Sequence, residues 1–177
     1  MADVSVRLAR PEDAEHIAHV QQSTWEQAYA SLVGPLDVPL EQVAAVWLNA
    51  IEAPPSRDHR VLVALDGGSV VGFAASEPLS ATEVELSALM VEPRWGRRGH
   101  ASRLMQACVE HWAAFDVAVA WVFEADTVLS GFLASAGWEP DGLGRGLDTG
   151  PKVVPQRRMH VAVSEPEGST EPGPRSP

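Results

Sequence analysis

The chain is short of cysteine, of tyrosine and of positive charge. Its one cysteine, Cys108, has no partner for an internal disulfide, which fits a reducing cytoplasm better than a stapled secreted scaffold. Thirteen Lys and Arg stand against 24 Asp and Glu, a formal net charge of −11 that argues against general nucleic-acid binding. No apolar run approaches the ~20 residues of a membrane span, and "MADVSVRLARPEDAE" has no apolar signal-peptide region. The expected setting is cytoplasmic, with neither membrane nor nucleic acid as partner. A P-loop would need Gly-Lys-Ser/Thr at a helix start, and a dinucleotide fold a full G-x-G-x-x-G after the first strand. Neither is present, nor is an internal repeat.

What is present is an ordinary globular composition, 45% hydrophobic and 21% charged over 177 residues. That length is most simply one domain with a real core. The stretch "SEPEGSTEPGPRSP" has no large apolar side chain, so residues 164–177 are expected to be a disordered acidic tail behind a domain spanning 1–163.

"VSVRLA" (4–9) alternates as a half-buried strand does. Pro11 with Glu12 and Asp13 reads as a helix first turn, and helical spacing from Ala14 through Trp25 to Tyr29 carries that helix to about residue 31. A second helix follows Pro39 and ends at "APP" (53–55). Residues 60–66 and 69–78 flank a "GG" turn as a hairpin, with 83–91 as the next strand. A helix over about 97–115, an apolar strand over 117–124 and a short helix over about 126–136 follow, the last closed by Gly137. After a Gly-rich loop, 155–163 reads as a final strand. Hairpin strands followed by alternating strands and helices describe a mixed α/β sheet.

One short stretch works against the acidity. "VEPRWGRRGHASRLM" (91–105) gathers Arg94, Arg97, Arg98 and Arg103 around Gly96 and Gly99 where a strand meets a helix. The first amides of a helix lack intrahelical acceptors and carry the positive end of its dipole. With Gly99 allowing close backbone approach, the amides of residues 97 to 102 can point at a phosphate oxygen. Arginines alone would read as a solvated face. Two glycines at a strand-to-helix junction make an anion seat the better reading.

At these residues the sequence resembles the GNAT N-acetyltransferase superfamily. Its (Gln/Arg)-x-x-Gly-x-(Gly/Ala) signature falls on Gly96-Arg97-Arg98-Gly99-His100-Ala101, departing only at Gly96. "ELSALMVEPRW" is similar to the family's fourth strand, "ADTVLSGFLASAGWEPDG" to its Asn-…-Phe-Tyr-x-x-x-Gly-Phe helix, and the opening segment to its first strand and helix. The resemblance covers roughly residues 4 to 163. It implies a twisted, mostly antiparallel mixed sheet of six to seven strands with about four helices, splayed between strands four and five.

The resemblance also implies a chemistry: transfer of an acetyl group from acetyl-CoA, as co-substrate, to a primary amine by direct attack. Pantetheine would pair with the backbone of Leu89, Met90 and Val91. The pyrophosphate would meet Arg97, Arg98, Gly99, His100, Ala101 and Ser102, and Asp126 matches the family's asparagine as a cofactor contact. A fourth-strand amide near residue 89 would polarise the thioester carbonyl. As general base the first choice is Glu85, the second Glu83; they share a strand face at i and i+2, and water can relay the proton. Equally, either could be a rim carboxylate that holds an ammonium. The acid is missing from its usual place, where Leu133 replaces tyrosine. Either water or another group protonates the thiolate, or the chain is a weak or inactive acyl-CoA-binding module acting as sensor or partner. Tyr29, the only tyrosine, reads as packing or acceptor-site wall. The acceptor is a small-molecule or protein amine, and a homodimer is compatible with the resemblance.

Other signals carry less. "DTG" (148–150) lies singly in a Gly/Pro loop, unlike the paired triplets of aspartic proteases. His16 and His19, at i and i+3, have no further ligands, so no metal site is expected. Cys108, Trp47 and Trp112 fall on core-facing positions, while Trp25 could line an acceptor cleft. "GLGRG" (142–146) reads as flexible linker.

Overall fold

A computed structural model describes residues 4–163 of the chain. The expectation for 164–177 lies outside those residues. Seven strands form one sheet in the order β1-β2-β3-β4-β5-β7-β6. They are β1 (Val4–Leu8), β2 (Arg60–Asp66), β3 (Ser69–Pro78), β4 (Glu83–Val91), β5 (Val117–Phe123), β6 (Glu139–Asp148) and β7 (Val153–Ala162). Every neighbouring pair is antiparallel except β4 and β5, which are parallel.

Four helical runs cover the two faces of this sheet among the described residues. The first comprises α1 (Ala14–Thr24), a π-helical turn (Trp25–Tyr29) and α2 (Ala30–Val33). The others are α3 (Leu40–Glu52), α4 (His100–His111) and α5 (Thr127–Ser135). None is long and apolar enough to cross a membrane. Ile17 and Val20 of α1 bury against Val63 and Phe73 on one face, with Trp47 of α3 packing edge-on to Phe73. Leu104, Met105 and Cys108 of α4 and Leu133 of α5 fill the opposite face with Val84, Ala118, Ala120 and Trp138. Cys108 is therefore core, as its spacing predicts, and burial pushes its thiol pKa up to about 12.

The β2–β3 turn shows why "GG" reads as a hairpin. Gly67 and Gly68 both take positive φ, 58° and 86°, the pair that a two-residue turn matching the strand twist requires.

Three elements differ from the sequence expectation. The helix expected from about residue 97 begins at His100, because Arg97 (φ 61°) and Gly99 (φ 83°) both sit in the left-handed region and keep the chain out of the helix. The first helix does not run evenly to residue 31 but widens into the π turn. Residues 139–148 form strand β6 rather than a loop and linker. With Pro140, Gly142, Gly144 and Gly146 and almost no buried side chain, β6 has no apolar alternation to announce it. Its pairing with β7, irregular between Pro140 and Gly144, supplies what propensity does not.

Candidate active site

The site begins where two strands part. β4 pairs with β5 only over Glu83, Val84 and Glu85. Beyond them β4 keeps β3 as its neighbour and β5 keeps β7. The backbone edge of β4 from Leu86 to Val91 is left without a strand partner on the β5 side, a row of donors and acceptors that an extended ligand can pair with. A β-bulge assists. Ala75 pairs with Ala88 and Ser76 with Leu86, so Ser87 is the extra residue, its hydroxyl donating to the Ala75 carbonyl at 3.2 Å. The bulge resets the alternation: Val84, Leu86, Leu89 and Val91 join the α4-side core, while Ala88 and Met90 pack towards α1.

Two cavities open from this gap. One of about 740 Å³ is lined by Leu89, Met90, Val91, Arg97, Gly99, His100, Ala101, Ser102 and Asp126, with Thr24 and Tyr29 on the helix side. A second, of about 260 Å³, lies between β4, β5 and β6 and is lined by Trp25, Trp121, Arg145 and Gln156 among others. Tyr29, Leu89, Met90, Asp126 and Leu129 line both. Nine of the ten residues expected around a cofactor thus come together on one cavity wall.

The tenth, Arg98, does not. Its guanidinium lies 4.8 Å from the centre of the Trp95 ring, and its carbonyl accepts a bond from Arg103 Nη1 at 3.1 Å. Arg94 is tied to Glu92 at 2.7 Å. Of the four clustered arginines only Arg97 lines the cavity. The backbone does most of the work instead. Gly99 caps α4 without a side chain, and the first helical bond runs from Arg103 N to Gly99 O at 3.1 Å. The amides of His100, Ala101 and Ser102 therefore have no intrahelical acceptor, and all three residues line the larger cavity. The His100 imidazole is buried, with Nε2 3.4 Å from Asp66 Oδ2 and its ring edge-on to Trp95. Neither ring nitrogen has a hydrogen-bond partner among the described residues.

Asp126 is engaged twice. As N-cap of α5 its Oδ1 accepts from Leu129 N at 2.9 Å, and its Oδ2 accepts from the Tyr29 hydroxyl at 2.6 Å. Burial, and after it the Asp126 carboxylate, push the Tyr29 phenol well above its ordinary pKa. The π turn carries both Trp25 and Tyr29, and Tyr29 packs 5.6 Å from Phe123 of β5. Leu133, standing where the resembled motif has tyrosine, is fully buried in the α4-side core and also walls the smaller cavity.

Glu83 and Glu85 lie on the α1 side of β4, opposite Val84 and Leu86, and neither lines a cavity. Glu83 is bound to Arg158 Nη1 at 3.0 Å, and Arg158 Nε holds Asp141 at 2.6 Å. Glu85 has no such partner among the described residues. Burial first, then Glu77 across the strand pair and, less, Glu83, raise its pKa against the pull of Arg145 and Arg158. A carboxyl poised above the usual range and free of ion pairs is the better proton acceptor of the two.

No local signal marks Arg145 and Trp121 as cavity residues. Arg145 stands in a glycine-rich segment read as linker, and Trp121 in an apolar run read as buried strand. Among the described residues no cluster of His, Cys, Asp or Glu could hold a metal ion.

Could this site take a pantetheine-linked diphosphate? The unpaired β4 edge and the free α4 amides are the donors such a ligand needs. Thr24 Oγ1 adds a third sign: it is buried on the larger cavity wall without a hydrogen-bond partner among the described residues.

Residues 57–140, from the approach to β2 to the start of β6, match the family described as "Acetyltransferase (GNAT) domain". No curated protein matches the chain. Solved structures share its fold nearly end to end. YncA of Salmonella typhimurium, solved with acetyl-CoA, is 17% identical with a TM-score of 0.72, covering 93% of this chain and 96% of its own. The PaiA N-acetyltransferase of Thermoplasma acidophilum, in complex with coenzyme A, is 16% identical with a TM-score of 0.71, covering 90% and 99%. The ribosomal-protein-alanine N-acetyltransferase of Brucella melitensis is 20% identical with a TM-score of 0.72, covering 89% and 99%. A parted fourth strand and a glycine-capped fourth helix thus stand within a segment that matches an acetyltransferase (GNAT) domain, on a fold shared with solved acetyltransferases.

Proposed function

We propose that the protein transfers an acetyl group from acetyl-CoA to the nitrogen of an amine by direct attack on the thioester. The observation that carries this reading is the 740 Å³ cavity running from the unpaired edge of β4 to the free amides of α4. Leu89, Met90 and Val91 pair with the pantetheine. Arg97 and the amides of Gly99 to Ser102 hold the pyrophosphate. The smaller cavity receives the amine, and the two reactants meet at Tyr29, where the cavities join.

Glu85 takes a proton from the incoming ammonium through water, leaving a neutral nitrogen that attacks the carbonyl carbon. A β4 amide near Leu89 stabilises the developing oxyanion. As the carbon–sulfur bond breaks, sulfur keeps the electron pair and needs a proton. Among the residues lining both cavities only Tyr29 carries a hydroxyl. Its raised pKa keeps it a phenol, able to turn from Asp126 and hydrogen-bond the departing sulfur. The nitrogen's surplus proton balances the one the thiolate gains. Arg98 and Glu83 fall outside this scheme, the first on Trp95 and the second on Arg158. The single buried cysteine favours a reducing compartment such as the cytoplasm.

Leu133 supports a second reading, a domain that holds acyl-CoA without turnover. Thermal unfolding with acetyl-CoA, CoA, ATP and NAD in turn tests both. A ligand at 100 times its dissociation constant stabilises by about 2.7 kcal/mol, a rise of roughly 5–10 °C for a domain of this size. A rise with acetyl-CoA and CoA alone, followed by amine-dependent CoA release, supports the transferase. A rise without release from any amine supports the holding module, and no rise ends both readings.

A further inference from the structure

Arg145 is a cation of the acceptor cavity that no carboxylate holds. Its neighbour Arg158 is spent on Glu83 and Asp141. Arg145 makes no ion pair among the described residues; neutral groups fix it instead. Its Nε donates to Gln156 Oε1 at 2.7 Å, and its guanidinium lies 4.2 Å from the centre of the Trp121 ring. Gln156 is itself only 7% exposed, so the anchor is set into the sheet. Both restraints act on the Nε edge and one flat face. Nη1 and Nη2 are left without partners on a residue that lines the 260 Å³ cavity.

A guanidinium fixed in place with its fork unbonded is arranged for an oxyanion. The planar pair of Nη donors matches a carboxylate or phosphinate in two parallel bonds, and pre-orientation removes much of the ordering cost. Glu85, whose charge feels Arg145, lies on the same side of the sheet. The cavity wall therefore offers a free cation for an anion, while Glu85, outside the lining, can reach an ammonium only through water. The cavity's size, at the low end for small-molecule sites, suits a free metabolite better than a polypeptide.

We propose that the acceptor is a small amine that also bears an anionic oxygen group, an amino acid or close analogue, with its amine turned towards Glu85 and its anion on Arg145. This rests on the transferase reading above and names the substrate class for that site. A bland role for Arg145, as a rim cation that merely restrains the Glu85 pKa, predicts no preference for the anion.

The test is a panel of free amino acids, each beside its methyl ester and its decarboxylated amine, assayed for CoA release from acetyl-CoA. Binding of CoA is checked separately by thermal shift. At least one acid is expected to be acetylated, with kcat/KM about ten- to a hundredfold above its ester, the size of a lost charged hydrogen bond. Arg145→Gln should erase most of that gap and leave the KM for acetyl-CoA unchanged. Arg145→Lys, which keeps the charge but not the fork, should restore part of it. Acid and ester acetylated alike, a gap that survives Arg145→Gln, or no acid accepted by protein that binds CoA would each overturn this inference while leaving the cofactor reading standing. Absence of a CoA shift would remove both.

Discussion

The two cavities that meet at Tyr29 are built from different materials. The larger is made by backbone: an unpaired strand edge, a left-handed Arg97 and Gly99, and three helix-start amides. The smaller is made by side chains far apart in sequence, with Trp25 from the π turn, Trp121 from β5, Arg145 from β6 and Gln156 from β7. A backbone-built seat tolerates almost any side chain, since its donors are the same in every residue. A side-chain-built seat changes with one substitution. Solved structures only 16–22% identical share this fold.

The largest effect should come from a single side chain of β4. Glu85→Gln is expected to lower kcat by about 10²–10⁴, the usual worth of a general base, with the dissociation constant for CoA unchanged. The sign of its pH effects follows from its raised pKa. In the parent, kcat/KM should fall as pH drops through that raised value, and Glu85→Gln should flatten this limb. Because the folded state binds the proton more tightly than the unfolded one, Glu85 costs stability above its folded pKa and not below its unfolded pKa. The variant should be at least as stable as the parent at neutral pH, with the difference vanishing in acid. Lower activity together with lower stability at pH 7 would mean that Glu85 is structural.

On the cofactor side a backbone change should do the most. At Gly99 a Cβ would lie 2.9 Å from Arg103 Nη1, and φ is +83°. The arginine tip can move; the backbone cannot relax without shifting the start of α4. Gly99→Val places a β-branched residue there at a strain of about 1–3 kcal/mol. The expected result, by titration calorimetry, is roughly ten- to a hundredfold weaker CoA binding. An unchanged affinity would break the contrast between the two cavities.

That contrast also explains what the sequence disclosed. Gly99 beside four arginines marked the loop before α4, because the left-handed residue that caps that helix favours glycine and the signal is local. The alternation of "EVELSALMV" and the apolar run of 117–123 marked the two strands that part. Nothing local marked Arg145. Its strand is held by pairing with β7 rather than by propensity, and its role depends on Gln156 and Trp121, 11 and 24 positions away by the numbering. Which arginine of the cluster lines the cavity is likewise not local: Glu92 holds Arg94, Trp95 holds Arg98, and the Arg98 carbonyl holds Arg103.

A smaller effect is expected at the junction. Tyr29→Phe removes the hydroxyl that reaches both cavities but leaves Asp126 its capping bond to Leu129. A drop in kcat of about tenfold, with little change in KM for acetyl-CoA, fits the loss of one hydrogen bond to the leaving sulfur. An unchanged kcat would leave protonation to water and make Tyr29 a wall.

The smallest effects divide the arginines among themselves. Arg97→Ala should weaken CoA binding by about tenfold, less so at high salt, because the lost contribution is a partly exposed charge near a phosphate. Arg98→Ala should change it by no more than about twofold, since the Arg98 guanidinium lies on Trp95 and exposed cation–ring contacts are worth about 0.5–1 kcal/mol to the fold rather than to a ligand. Side chain against side chain, within one loop, this pair separates a charge that faces the cavity from one that does not. Equal losses from both would mean that the loop acts through its summed charge, and the backbone-built description of the larger cavity would then fail.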